Sequence, residues 1–192
     1  MPRAPRVGVL ALQGDFAAHA RMLEAIGADV REVRAPKTMR SLSGLVIPGG
    51  ESTTLLRLMD YDQSWWPALG EFHEDGGALL GTCAGLILLA KEVTTPTQRS
   101  LGLLNVTVER NAYGRQRESF EATGQWSDGR PLEMVFIRAP AIQHSGNGVD
   151  VLATHGGDPV VVRQDRIIGA TFHPELTNDD SLHRLFLQTC ET

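Results

Sequence analysis

The chain has 192 residues, 42% of them apolar with 20 glycines besides, and a net charge of −5. At roughly 150 residues per domain this is enough for one core that needs no disulfide or metal staples. With 18 basic against 23 acidic residues, neither a disordered chain nor a dedicated nucleic-acid binder is expected.

Arg6–Leu12 reads as a short buried strand. Phe16–Ile26 follows as a helix with Phe16, Ala20, Leu23 and Ile26 near helical spacing, closed by Gly27. Val30–Arg34 and Gly44–Ile47 are further strands, the second stopped by Pro48-Gly49-Gly50, after which Ser52 or Thr53 is expected to cap a helix through Met59. Trp66–Glu74 reads as a helix, Ala78–Gly81 as a strand and Leu86–Ala90 as an apolar helix. Strand-like runs then follow one another at Val106–Glu109, Met134–Ile137, Val151–Thr154, Val160–Arg163 and Ile167–Phe172, before a last helix over Ser181–Thr189. Strands alternating with helices predict an α/β fold of three flavodoxin-like layers, with a mostly parallel sheet and helices on both faces. The second half predicts an antiparallel or mixed extension. No linker or composition shift marks a boundary, so residues 1–192 are expected to form one domain.

Of the 18 basic residues only Lys37 and Lys91 are lysines, so Schiff-base chemistry has almost no candidate. Two cysteines, Cys83 and Cys190, make no disulfide framework, and no Cys/His cluster has zinc-ligand spacing. The longest apolar run, Ala84 to Ala90, is too short to span a bilayer, and the first residues do not read as a signal peptide. A cytoplasmic, reducing setting is expected, with no metal, membrane or nucleic-acid partner.

Ligands of open α/β sheets gather beyond the carboxyl ends of the strands, which directs attention to Gln13, Pro48–Ser52, Thr82–Gly85 and His173–Glu175. Cys83 stands in Gly81-Thr82-Cys83-Ala84-Gly85. Glycines on both sides permit a sharp strand-to-helix turn that presents a nucleophile, and the helix that follows favours its thiolate. A lone cysteine is more often a packing residue, and that reading is kept for Cys190. Of six histidines, His19, His73 and His183 fall on predicted helices and are expected at the surface or its boundary. His144 and His155 lie in loops with no carboxylate suited to orient them. His173 ends a strand, and His173-Pro174-Glu175 as an extended segment would put Glu175 on the same side as the ring it orients. Gly49 and Gly50 can turn amides toward a developing negative oxygen. The Ala84 amide joins them, so Gly50 and Ala84 are the candidate oxyanion donors.

With Cys83, His173 and Glu175 in these settings, the chain resembles the class I, or triad, glutamine amidotransferases. More narrowly, it is similar to the glutaminase subunits of pyridoxal 5′-phosphate synthases. The narrower likeness rests on Leu10-Ala11-Leu12-Gln13-Gly14, on Pro48-Gly49-Gly50-Glu51-Ser52-Thr53-Thr54, on Arg110–Gln116 leading into Ser119-Phe120-Glu121, and on Phe136-Ile137-Arg138-Ala139-Pro140. The resemblance implies Cys83 as nucleophile with His173 and Glu175 completing the triad, and L-glutamine contacts from Gly50, Glu51, Ser52, Arg110, Ile137 and Arg138. Arg110 and Arg138 suit the α-carboxylate of glutamine and Glu51 its α-ammonium. The resemblance also implies a hetero-oligomer with a (β/α)8-barrel synthase subunit that receives the ammonia. No cofactor is implied, since pyridoxal 5′-phosphate would be the product of the complex. Gln13, at a strand end near the same cleft, is a candidate for activation or contact with that partner, whose docking would complete the oxyanion hole. Two rivals are an amidotransferase serving another synthase, and a non-enzymatic module on the same scaffold with Cys83 as redox sensor.

Overall fold

A computed structural model describes residues 4–110, 112 and 119–191. In chain order the first half runs β1 (Arg6–Leu10), α1 (Phe16–Ala25), β2 (Asp29–Val33), β3 (Gly44–Ile47), α2 (Ser52–Tyr61), α3 (Trp65–Glu74), β4 (Ala78–Thr82) and α4 (Ala84–Leu89). The second half adds β5 (Ala90–Thr94), β6 (Leu104–Glu109), β7 (Phe120–Trp126), β8 (Pro131–Phe136), β9 (Ala141–Ser145), β10 (Asp150–His155), β11 (Asp158–Gln164), β12 (Ile167–Ala170) and α5 (Ser181–Glu191). Short 3-10 turns cover Pro36–Ser41 and Pro174–Leu176.

Among the described residues nine strands form one sheet in the order β2-β1-β3-β4-β12-β11-β10-β7-β8. The pairs from β2 to β12 are parallel, and the remainder are antiparallel. The mostly parallel half and the antiparallel extension are thus both present. A second sheet, β5-β6-β9, is separate from the first in its hydrogen bonding.

Period-two alternation along the central strands sends successive side chains to opposite faces. Leu45, Ile47, Leu79 and Ile167 join α2, α3, α4 and the small sheet in one core. Val7, Val9, Val46, Leu80 and Ile168 meet α1 and α5 in the other, with Leu23, Leu182 and Phe186. Each face therefore needs its own helical layer to remove this apolar surface from water. Trp65 and Trp66 are both buried in the first core, Trp66 with Nε1 donating to Asp60 Oδ1 at 3.1 Å.

Several boundaries depart from expectation. The apolar helix starts at Ala84, and Ala90 opens a strand instead of closing the helix. β5, β7 and β9 have no counterpart in the predicted elements. In β7 the run Phe-Glu-Ala-Thr-Gly-Gln-Trp is too polar and glycine-interrupted to read as a strand, because only Gly124 and Trp126 are buried along it. The α2 cap is Glu51 rather than Ser52 or Thr53.

Candidate active site

Cys83 joins β4 directly to α4 with φ 47° and ψ −103°. A non-glycine residue in such a conformation costs about 1–3 kcal/mol and persists only where the surroundings fix it. Here Cys83 N–H donates to Ala170 O at 2.9 Å, and a Cβ on Gly85 would strike the Ile47 carbonyl. The neighbouring strands and the absence of a side chain at Gly85 therefore hold the turn. Cys83 Sγ lies 4.0 Å from Ile137 O.

Gly49 is wedged against both Cys83 and His173. A Cβ there would collide with His173 Cε1 and sit 2.9 Å from its Nδ1 and 3.1 Å from Cys83 Cβ. The loop is fixed by three backbone bonds: Gly49 N–H donates to Thr82 Oγ1 at 3.1 Å, Asp15 N–H to Gly49 O at 3.4 Å, and Glu51 N–H to Gln13 Oε1 at 3.0 Å. Gln13 thus packs against Gly50, whose Cβ would lie 2.6 Å from the Gln13 amide.

His173 and Glu175 are both buried, and His173 Nδ1 lies 2.8 Å from Glu175 Oε1. The reason differs from the expected one: Pro174–Leu176 is a 3-10 turn, not an extended segment. Burial disfavours the charged ring, but hydrogen bonds to Cys83 and Glu175 prevail and raise the His173 pKa to about 10. Burial likewise opposes the Glu175 carboxylate. The attraction of His19, 3.1 Å from Oε2, and the hydrogen bond from His173 outweigh it, holding Glu175 well below the usual carboxylate range. An ionised carboxylate only accepts, so His173 donates through Nδ1 and keeps Nε2 for other chemistry. The exposed Asp15 carboxylate comes within 4.8 Å of the other two.

A cleft of about 260 Å³ opens at Cys83, lined by Asp15, Gly50, Glu51, Ser52, Cys83, Ala84, Ile87, Arg110, Ile137, Arg138 and His173. All six residues expected to contact glutamine reach it. Gln13 lies behind Gly50 and Glu175 behind His173. Arg110 Nη2 faces Glu51 Oε1 at 3.5 Å, so a cation and an anion share one wall. Glu51 has a second task, accepting from Thr53 N at 3.2 Å, Thr54 N at 2.9 Å and both threonine hydroxyls. Hydrogen bonds from the Thr53 hydroxyl, then from Thr54 and the two amides, outweigh its slight burial and hold its pKa at about 2. Asn111 and residues 113–118 of the arginine-rich segment, Tyr113 included, lie outside the described residues.

The expectation that His19 and His183 sit at the surface is overturned: both are fully buried. The signal was available, because His19 falls between Phe16 and Leu23 on the apolar stripe of α1, and His183 beside Leu182 and Phe186 on that of α5. Cys190 behaves as a packing residue. It is buried, its thiol pushed up to about 12 by that burial, and a Cβ on Gly44 would strike its sulfur.

The model of the SNO glutamine amidotransferase family matches residues 9–192. The chain belongs to the SNO glutamine amidotransferase family. A curated relative from Koribacter versatilis, "Pyridoxal 5′-phosphate synthase subunit PdxT", is 52% identical over 95% of this chain and 94% of its own length. One of the same name from Deinococcus radiodurans is 52% identical over 94% of this chain and 95% of its own. A solved structure described as a glutamine amidotransferase superposes with a TM-score of 0.90 at 46% identity, over 97% of this chain and 99% of that one. The three-layer sheet with its antiparallel extension is therefore the fold of this amidotransferase family.

Proposed function

We propose that this amidotransferase splits L-glutamine into L-glutamate and ammonia through Cys83, His173 and Glu175. The ammonia passes to the partner subunit of pyridoxal 5′-phosphate synthase. The Cys83 thiolate attacks the side-chain amide carbon, and the amides of Gly50 and Ala84 bind the oxygen that gains charge. His173 gives a proton to the departing nitrogen as the C–N bond breaks. It then takes one from water, which opens the γ-glutamyl thioester and restores the thiol. Glu175 holds the imidazole in orientation throughout. Arg110 and Arg138 receive the α-carboxylate and Glu51 the α-ammonium.

The observation that carries this reading is a thiol and a carboxylate-held imidazole meeting at Gly49, at the floor of a cleft walled by Arg110 and Glu51. The partner is inferred from the names of the curated relatives, and its (β/α)8-barrel form from the sequence resemblance. Ammonia free in neutral water is mostly protonated and no nucleophile, which favours direct transfer inside a hetero-oligomer. Gln13 bonds the Glu51 amide beside the oxyanion position, so a partner pressing on it reorganises the Gly49–Gly50 peptide and completes the oxyanion hole. No helix among the described residues is long and apolar enough to cross a membrane. In this reading the chain is a cytoplasmic, single-domain subunit.

The test uses the complex of this chain with its synthase partner. Cys83→Ala is expected to abolish glutamine-dependent formation of pyridoxal 5′-phosphate while leaving ammonia-dependent formation intact. Loss of both activities contradicts the proposal and assigns Cys83 a structural role.

A further inference from the structure

Behind the triad lies a second buried chain of polar groups. His183 Nε2 lies 2.8 Å from His19 Nδ1. His19 Nε2 lies 3.2 Å from Thr82 Oγ1 and 3.1 Å from Glu175 Oε2, the carboxylate oxygen that His173 leaves free. All four residues, His19, Thr82, Glu175 and His183, are buried, and they come from α1, the end of β4, the turn after β12 and α5. The carboxylate only accepts, so His19 Nε2 carries a hydrogen; it is directed at the Thr82 hydroxyl, while Glu175 Oε2, without a hydrogen-bond partner among the described residues, is met by His19 as a close charged contact. Burial, and then His19, push the His183 pKa down to about 3, so that ring is neutral and serves as a hydrogen-bonding brace.

We propose that His19 is a positioning residue of the relay, fixing Glu175 from behind and, through Thr82, the Gly49 amide beside Cys83. Two features of the geometry support this. Among the described residues Glu175 is hydrogen-bonded through Oε1 alone, a carboxylate so held can rotate away from His173, and His19 Nε2 stands 3.1 Å from its other oxygen. His19 removes that freedom. The Thr82 hydroxyl accepts from Gly49 N–H, so the same imidazole also steadies the loop that separates nucleophile from base. His19 is not among the residues lining the cleft, so glutamine binding does not depend on it directly. This polar group at the junction of four elements is incompletely bonded, with Glu175 Oε2 and His183 Nδ1 lacking hydrogen-bond partners among the described residues, and so costs more than an apolar one would, which suits a site where orientation matters more than stability.

This inference rests on the proposed triad, and the variants separate the two. His19→Gln places an amide N–H near the Nε2 position and can still donate to Glu175. His19→Asn reaches only the Nδ1 position, keeping the bond to His183 and losing Glu175. In the complex with its partner, His19→Asn is expected to lower kcat for glutamine hydrolysis about tenfold to hundredfold, the effect of losing the polar contact that holds a buried charge in place. The KM for glutamine and ammonia-dependent synthesis should not change. His19→Gln is expected to recover most of kcat. Equal rates for the two variants, whether both full or both impaired, overturn the role of His19. So does a KM that rises in step with the loss of kcat. Cys83→Ala run alongside reports on the triad itself: if that variant still hydrolyses glutamine, the triad reading fails, whatever the histidine variants do.

Discussion

His173 Nδ1 lies 2.8 Å from Glu175 Oε1 inside a single 3-10 turn, with both side chains sealed from solvent. The pair is built locally, by two residues and a proline, and only its second side, through His19, depends on distant parts of the chain.

Glu175→Gln keeps the size of the side chain and removes its charge. It should lower kcat for glutamine hydrolysis on the order of 10³-fold, since the imidazole loses both its orientation and its counter-charge. Nuclear magnetic resonance titration of His173 should show its pKa falling from about 10 toward the ordinary histidine range. An unmoved titration would mean that Cys83 alone holds the ring charged.

The same shift couples pH to stability. A group raised from 6.5 to about 10 on folding contributes stability that is full below pH 6.5 and lost as the pH climbs through about 10. His183 has the opposite sign: lowered from 6.5 to about 3, it contributes above pH 6.5 and weakens the fold as the pH falls toward 3. Urea midpoints measured across this range should therefore decline on both sides. Cys83→Ala should flatten the alkaline decline, and His183→Asn should soften the acid one.

Gly49→Ala inserts a methyl group where His173 Cε1 already stands. Overpacking of this kind costs about 1–3 kcal/mol, and here the displaced atoms belong to the proposed relay. Glutamine hydrolysis should fall by far more than thermal stability, as shown by comparing rates with the midpoint of thermal unfolding. Gly27→Ala is a useful contrast: Gly27 has φ +95°, which a side chain strains, but no atom lies within 4 Å of its Cβ position. That change should be felt in stability alone.

Glu51→Ala removes the cap of α2 and the partner of Arg110 together. Loss of the cap should cost about 0.5–2 kcal/mol, read from denaturant unfolding. The KM for glutamine should rise, because the cleft loses its anion for the ammonium group. Glu51→Asp, whose shorter carboxylate still caps, is expected to recover stability more fully than KM.

The parallel core strands and the order of helices were legible because their apolar runs are bounded by glycine and proline, as at Gly44–Ile47 before Pro48. The convergence of the candidate site residues on one cleft was legible because they cluster at strand ends within short motifs. β5 and β9 were hidden because each is a five-residue strand with mixed burial, carrying too little pattern to separate from a loop. The role of Glu51 as a helix cap was obscured by the serine and threonines that follow it. His19 was hidden for another reason: a histidine on an apolar stripe gives no sign of its partner, and that partner lies 164 positions away in His183.

The two thiols of this chain are unequal in a way that has practical use. Cys190 is packed beneath Gly44 and stays protonated to about pH 12, while Cys83 opens onto the cleft. A mild alkylating glutamine mimic should consume one equivalent per folded chain and then stop. Such a reagent becomes a titrant that counts working subunits in a purified assembly, and its stoichiometry gives occupancy without any rate being measured.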